Sequence, residues 1–244
     1  VSALRSAVRA LYVAWGALVV LTVMSTLWLV TGFVRSAARA IRLQRAASRT
    51  MLTLLGVRVA VHGAWPARDG VARVYVCNHT SYLDIPLMLA VLPHDFVFVT
   101  KRELLDWPII SRITRAGGHI PVDRERATSR GATVARIIKT LRAGRSVFIF
   151  PEGTFSHDDK LRPFHQGAFH AAAVAGAPVV PVATKGVDAV WSQHARFPSP
   201  GRVGLTVGEA LVAEGADEPA RAESLRGAAA RFVAAHSSRG EFLL

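Results

Sequence analysis

Between Arg9 and Arg35 the chain runs for 25 residues without a charge, from Ala10 to Val34. As a helix this stretch is roughly 37 Å long, more than the ~30 Å hydrocarbon core of a bilayer. The apolar core of a secretory signal is much shorter, and helices buried in globular domains are usually only three or four turns long. Tyr12 and Trp15 lie near one end of the run, Trp28 and Phe33 near the other. Rings placed this way match the two interfaces of a membrane. The segment is therefore expected to be a membrane-embedded helix, and whatever folds around a polar core must follow it.

Directly behind it come Arg35, Arg39, Arg42, Arg45 and Arg49, spaced 4, 3, 3 and 4. That spacing draws one stripe along a second helix. Beside an apolar segment, five guanidinium groups on one face suit an anionic membrane surface, each contributing about 1 kcal/mol there. A net charge of +13 points to an anionic partner, and 51% hydrophobic residues favour lipid over nucleic acid. If the first helix spans, the arginine balance (Arg5 and Arg9 before it, five after it) places the following bulk in the cytoplasm, at the cell's inner (plasma) membrane. A helical hairpin dipping into one leaflet fits the same charges. Residues 1–56 are thus expected to be anchoring helices and residues 57–244 a second unit.

From residue 57 the texture becomes that of a soluble domain. Strands are expected over 57–61, 71–77, 96–100, 119–122, 146–150, 178–183 and 202–207, and helices over 85–91, 103–115, 127–143, 167–175 and 219–235. Alternation on this scale predicts an α/β fold: a mixed, largely parallel sheet flanked by helices, preceded by the N-terminal membrane-associated helical pair. The single cysteine, Cys77, excludes an internal disulfide and a cysteine metal cluster. No metal constellation stands out, since His157, Asp158 and Asp159 are contiguous and read as a solvated loop.

Polar chemistry gathers where the apolar runs stop. After Val74-Tyr-Val-Cys77 come Asn78 and His79, and Asp84 follows five residues past the histidine. Imidazole moves protons near neutral pH, and a carboxylate across a tight turn could fix its tautomer. The same residues could equally be a turn histidine and a helix N-cap. The run 96–100 ends in Lys101, and Gly118-His-Ile-Pro-Val-Asp-Arg124 ends in a guanidinium suited to bidentate phosphate recognition. The run 147–150 stops at Pro151-Glu152-Gly153-Thr154-Phe155-Ser156, where Gly153 permits a positive φ and the neighbours can accept or donate hydrogen bonds. Strand ends on one side of a sheet converge, so these clusters are expected to form one site.

These blocks, in this order, resemble those of the 1-acylglycerol-3-phosphate (lysophosphatidate) acyltransferases among the glycerolipid acyltransferases. The likeness covers roughly residues 74–185: Asn78-His79-x4-Asp84, Gly118-x-Ile-Pro-Val-Asp-Arg124, Phe150-Pro-Glu-Gly-Thr-x-Ser156 and Val180-Pro-Val182, with Lys101 before a helix and Phe164-x-x-Gly167-Ala168 also fitting. The resemblance implies transfer of a fatty acyl group from acyl-CoA or acyl-carrier protein to the free hydroxyl of a lysophospholipid, giving phosphatidate in phospholipid biosynthesis. No further cofactor is implied. It assigns His79 as general base and Asp84 as its orienter, Lys101 and Arg124 to the acceptor phosphate, and Glu152, Gly153, Thr154 and Ser156 to the acceptor's polar part. An arginine usual in the third block is replaced by Phe155, which opens another acceptor, such as lyso-ornithine lipid, as an alternative. Cys77 and Ser81 are the candidate covalent nucleophiles, and neither is visibly paired with a base. Two other classes are weaker: a non-catalytic lipid-binding module on the same fold, and a nucleic-acid binder, for which no base-stacking aromatic motif accompanies the arginines.

Overall fold

The computed structural model describes residues 2–123, 127–155, 160–192, 194–195, 197–240 and 242, the side chains of residues 2, 3 and 127–130 excepted. Helix α1 (Ser2–Thr31) turns back through residues 32–36 into α2 (Ala37–Leu54), and β1 (Val57–His62) follows at once. The next elements are β2 (Val74–Cys77), α3 (Asp84–Val91), β3 (Phe96–Lys101), a 3₁₀ turn (Arg102–Asp106), α4 (Pro108–Gly117) and β4 (Ile120–Val122). After these come α5 (Ala127–Arg142), β5 (Ser146–Ile149), α6 (Gly167–Ala175), β6 (Val179–Lys185), the short α7 (Val187–Val190), β7 (Gly201–Val207) and α8 (Glu218–His236). The helix expected over 103–115 is divided because Pro108 starts a new helix at its first turn and Trp107 before it is extended.

The seven strands form one sheet in the order β1-β7-β6-β2-β5-β3-β4. All neighbours are parallel except β6 and β7. This is the mixed, largely parallel sheet expected, and it brings the C-terminal ends of β2, β3, β4, β5 and β6 to one edge. Alternation along β2 sends Val74 and Val76 into the apolar layer with α5, α6 and α8, and Tyr75 and Cys77 into the layer with α2 and α3. All four are fully buried, as a central parallel strand requires.

The N-terminal helices share that second layer. Val19 of α1 and Met51, Leu52 and Leu55 at the end of α2 belong to the same buried cluster as Leu87 and Phe98. Helix α1 lies alongside the domain for most of its length. Tyr12 Oη donates to Leu55 O (2.7 Å), Trp15 Nε1 to Leu54 O (2.9 Å), and the Arg112 guanidinium of α4 sits 4.1 Å from the Trp28 ring centre. Its opposite face leaves Leu4, Val8, Leu11, Leu18, Leu21 and Leu29 exposed.

The arginine stripe does not behave as one surface. Arg45 is only 9% exposed; it donates to His94 O (3.1 Å) and lies 3.5 Å from Asp95. Arg49 donates to Ala90 O (2.8 Å). The carbonyls ending α3 and the loop behind it lack helical donors, and α2 supplies them. Arg45 is therefore removed from the expected membrane contact, whereas Arg35, Arg39, Arg42 and Arg49 remain exposed, the last while bonded to Ala90 O.

His119, in the second sequence block, proves to be a structural clasp. Its Nδ1 accepts from Phe98 N (3.0 Å), so the proton sits on Nε2, which faces Gln44 Oε1 at 3.0 Å. Gln44 in turn donates to Ile113 O (2.9 Å), tying α2, β3 and α4 together. Burial, and secondarily Arg145, hold this imidazole down to about 4. An unfolded histidine near 6.5 takes up a proton first, so this stability is complete above about pH 6.5 and is lost as pH falls toward 4. We expect the wild type to lose about 2–3 kcal/mol more than His119→Gln across that window, read from denaturant midpoints of the detergent-solubilised chain. Parallel losses in the two proteins would show that the ring protonates freely in the fold.

Candidate active site

Strand β2 ends at Cys77, and the chain turns sharply into α3 through residues 78–83. Asn78 anchors the turn: its Nδ2 donates to Thr184 O (3.2 Å) and its Oδ1 accepts from Thr184 N (2.8 Å) at the end of β6. His79 Nδ1 lies 2.9 Å from Asp84 Oδ2. The same oxygen accepts from Thr80 N (2.8 Å) and Ser81 N (2.9 Å), and Asp84 is fully buried. A carboxylate holding three donors cannot swing away, so the imidazole keeps its proton on Nδ1 and its lone pair on Nε2.

Glu152, from the loop after β5, braces the turn from the other side. Its Oε1 accepts from His79 N (2.8 Å) and its Oε2 from Arg162 N (2.9 Å), with 2% of the residue exposed. Burial raises its carboxyl to about 7, against the pull of those two amides and of Arg239. Both oxygens are thus engaged with backbone, and the expected contact of Glu152 with the acceptor is corrected to support of the His79 backbone. Arg239, also buried, reaches this region from beyond α8 and stands 3.8 Å from Asp188. Gly153 has φ +77°, and a Cβ there would stand 2.9 Å from the His165 ring, so the turn requires glycine twice over.

The imidazole itself lies in an aromatic slot. Phe150 stacks on it with ring centres 3.9 Å apart and planes 11° from parallel. Phe155 covers it at 4.2 Å, Tyr82 meets Phe155 edge-on at 4.9 Å, and Trp191 lies 6.1 Å from Tyr82. Among the described residues, no group of three or more histidine, cysteine or acidic side chains could hold a metal ion.

The covalent alternatives lose their footing here. Cys77 is fully buried, and desolvation pushes its thiol well up. Ser81 is fully buried, donates to Trp191 O and accepts from Leu83 N (3.0 Å). Lys101 is exposed at the end of β3, 3.3 Å from Glu103. Thr154 is exposed beside Gly153. Arg124 and Ser156 lie outside the described residues, as do His157, Asp158 and Asp159. Reasoning from sequence placed Phe150 at the head of the third block without giving it a role, and it did not single out Tyr82, Trp191 or Arg239. Aromatics directly following a polar block were the available signal for the slot; nothing in the sequence flagged Arg239.

Known proteins share the sequence pattern and the fold of this chain. A family model described as Acyltransferase matches residues 58–185. The 1-acyl-sn-glycerol-3-phosphate acyltransferase alpha of Mus musculus is 36% identical over 178 residues, covering 71% of this chain and 62% of the relative. The beta form of Homo sapiens is 32% identical over 176 residues, covering 70% and 63%. The chain therefore spans somewhat under two thirds of the length of these relatives. The crystal structure of the 1-acyl-sn-glycerophosphate acyltransferase of Thermotoga maritima superposes with a TM-score of 0.71 at 21% identity, over 93% of this chain and 97% of that one, and so shares the fold. The matched span contains β2, β3, β4 and β5 and every block that builds the site, and on that ground the chain belongs to the Acyltransferase family.

Proposed function

We propose that the protein transfers a fatty acyl group from a thioester, acyl-CoA or acyl-carrier protein, to the free hydroxyl of 1-acylglycerol-3-phosphate. The observation that carries this is the His79–Asp84 pair, 2.9 Å apart, at the strand-end edge of the sheet. The acceptor hydroxyl approaches Nε2 of His79, which takes its proton as the oxygen attacks the thioester carbonyl carbon. The tetrahedral intermediate collapses, the C–S bond breaks, and the leaving thiolate recovers the proton from Nε2. No acyl-enzyme is involved, which suits the burial of Cys77 and Ser81. Lys101 and Arg124 are the cations assigned to the acceptor phosphate; Thr154 and Ser156 are assigned to its glycerol oxygens, with Gly153 shaping the turn between them.

The lipid substrates call for a membrane setting, and α1 supplies one. Contacts from Tyr12 to Trp28 hold this helix against the domain on one side. Its outward apolar face fits insertion into one leaflet, with the catalytic domain lying on the cytoplasmic surface of the inner membrane.

Phe155 favours a second reading of the acceptor. It occupies the place of the usual guanidinium and closes over His79 with Tyr82. An aromatic wall there suits a zwitterionic or amino-acid-containing lysolipid. The test offers a labelled acyl thioester with lysophosphatidate or lyso-ornithine lipid to the wild type and to Phe155→Arg. Label entering phosphatidate, with kcat/KM for lysophosphatidate rising about tenfold in Phe155→Arg, is the expected result for one added charge-assisted hydrogen bond. Label entering only the amino-acid lipid transfers the mechanism to that acceptor. Label entering neither, with folded protein, leaves a non-catalytic lipid-binding module.

A further inference from the structure

Where α1 joins α2 beside α4, the structure leaves a cleft of about 990 Å³. Arg35, Arg112 and Arg115 line it, with Asp106 as its acidic member. Among the described residues no carboxylate stands within ion-pairing distance of any of the three arginines. Arg112 is held in place: its guanidinium lies over the Trp28 ring at 4.1 Å and against Gly32, where a Cβ would stand 3.0 Å from Nη1. Arg115 donates to Ser111 Oγ (3.2 Å) one turn back on its own helix. The rim is apolar and open to solvent: Phe33 is 82% exposed and Leu29 55%.

Three cations around a concave space carry an excess of two positive charges over Asp106. Exposed aromatic and aliphatic side chains at its mouth continue the outward face of α1. Rings and acyl-facing side chains settle at the boundary between headgroups and hydrocarbon, which sets the cleft at headgroup depth. Arginine clusters at that depth recognise phosphate by bidentate hydrogen bonds. None of the described residues lining this cleft belongs to the slot around His79, and Lys101, assigned to the acceptor phosphate, is not among them.

We propose that this cleft is a binding site for the headgroup phosphate of an anionic bilayer phospholipid, distinct from the catalytic acceptor site. The lipid's phosphate sits among Arg35, Arg112 and Arg115 while its chains lie against Phe33 and Leu29. Arg115 and Leu105 also line a second cleft of about 520 Å³ at the β4 edge, with Arg102, Arg136 and Asp123. The proposal rests on the membrane reading of α1, and its test separates the two.

The full-length chain is diluted from detergent into phosphatidylcholine vesicles with and without about one phosphatidylglycerol in twenty, a content too low for a strong diffuse surface potential. Partition is measured by flotation for the wild type, Arg112→Gln/Arg115→Gln, Arg35→Gln, and a control with the same charge change at the opposite sheet edge, Arg58→Gln/Arg202→Gln. The expected result is about 30-fold weaker partition onto the anionic vesicles for the first double variant and about fivefold for Arg35→Gln, near 1 kcal/mol per guanidinium, with under about twofold for the control. Arg35→Gln alters an exposed residue outside any helix, so it reports even if the double variant folds poorly. Equal losses in the two double variants would reduce the effect to diffuse charge and overturn the site. Unchanged partition in the cleft variants would overturn it as well. A wild type that floats with neither vesicle would instead remove the membrane reading, and the site with it.

Discussion

Replacing His79 with glutamine lowers kcat by about 10² to 10⁴ while KM for either substrate changes little, the range for loss of a positioned general base. Glutamine is preferred to alanine because the imidazole fills the gap between Phe150 and Phe155, with ring centres 3.9 and 4.2 Å away. Emptying that slot would add a cavity to the loss of a base and blur the result. The backbone amide of His79, which donates to Glu152 Oε1 at 2.8 Å, is untouched by the change. Single-turnover acyl transfer measures the chemical step, and thermal unfolding checks the fold. Retained wild-type turnover in a folded His79→Gln protein would exclude the imidazole as the proton acceptor. Glu152 has both oxygens on backbone amides and Ser81 is tied to Trp191, so neither is placed to inherit the role.

Most of the fold was legible because the strands are short β-branched runs that stop abruptly. All seven expected strands appear, with ends shifted by up to three residues, as at β2, expected from 71 and observed from Val74. Val71 drops out because its amide and carbonyl bond to the side chains of Asp69 and Arg73, and Arg73, whose carbonyl still accepts from Val147 N, gives its own amide to the Ser146 hydroxyl instead of a ladder carbonyl. The site was legible where chemistry depends on residue type and close spacing. His79 and Asp84 are five residues apart on one turn, so their meeting is a local event. What escaped depends on the direction in which a side chain points. Glu152 follows a buried strand and could as well have faced outward; it turns inward because the His79 and Arg162 amides need an acceptor. Arg45 keeps the helical spacing of its stripe, yet α2 rotates it toward the carbonyl of His94. Arg239 approaches Glu152 only through the tertiary fold, from a segment with no periodic signal of its own.

Asp84→Asn should lower kcat about as far as removal of the base, by about 10² to 10⁴, with most of the folding stability intact. One carboxylate oxygen, Oδ2, accepts from His79 Nδ1, Thr80 N and Ser81 N, while Oδ1 is buried without a hydrogen-bond partner. An asparagine has two ways to sit there. With its NH₂ toward His79 it donates to Nδ1, moves the imidazole proton to Nε2, and so removes the lone pair that meets the acceptor hydroxyl. That orientation also sets the NH₂ against the two backbone amides, a repulsion the carboxylate never had. With its oxygen toward the three donors the tautomer survives, but the NH₂ then occupies the apolar position of Oδ1, and the negative charge that stabilises the imidazolium is gone. Either way the base weakens, so the prediction does not depend on the orientation chosen. Asp84→Ala differs in kind. It leaves the Thr80 and Ser81 amides without their acceptor, at about 1–3 kcal/mol each, and so should lower stability by several kcal/mol along with activity. The pair of variants separates the two duties of this residue: chemical denaturation follows the support of the turn, and single-turnover acyl transfer follows the tautomer. A folded Asp84→Asn protein with wild-type turnover would show that the imidazole needs no orienting carboxylate, and the catalytic role would then rest on His79 alone.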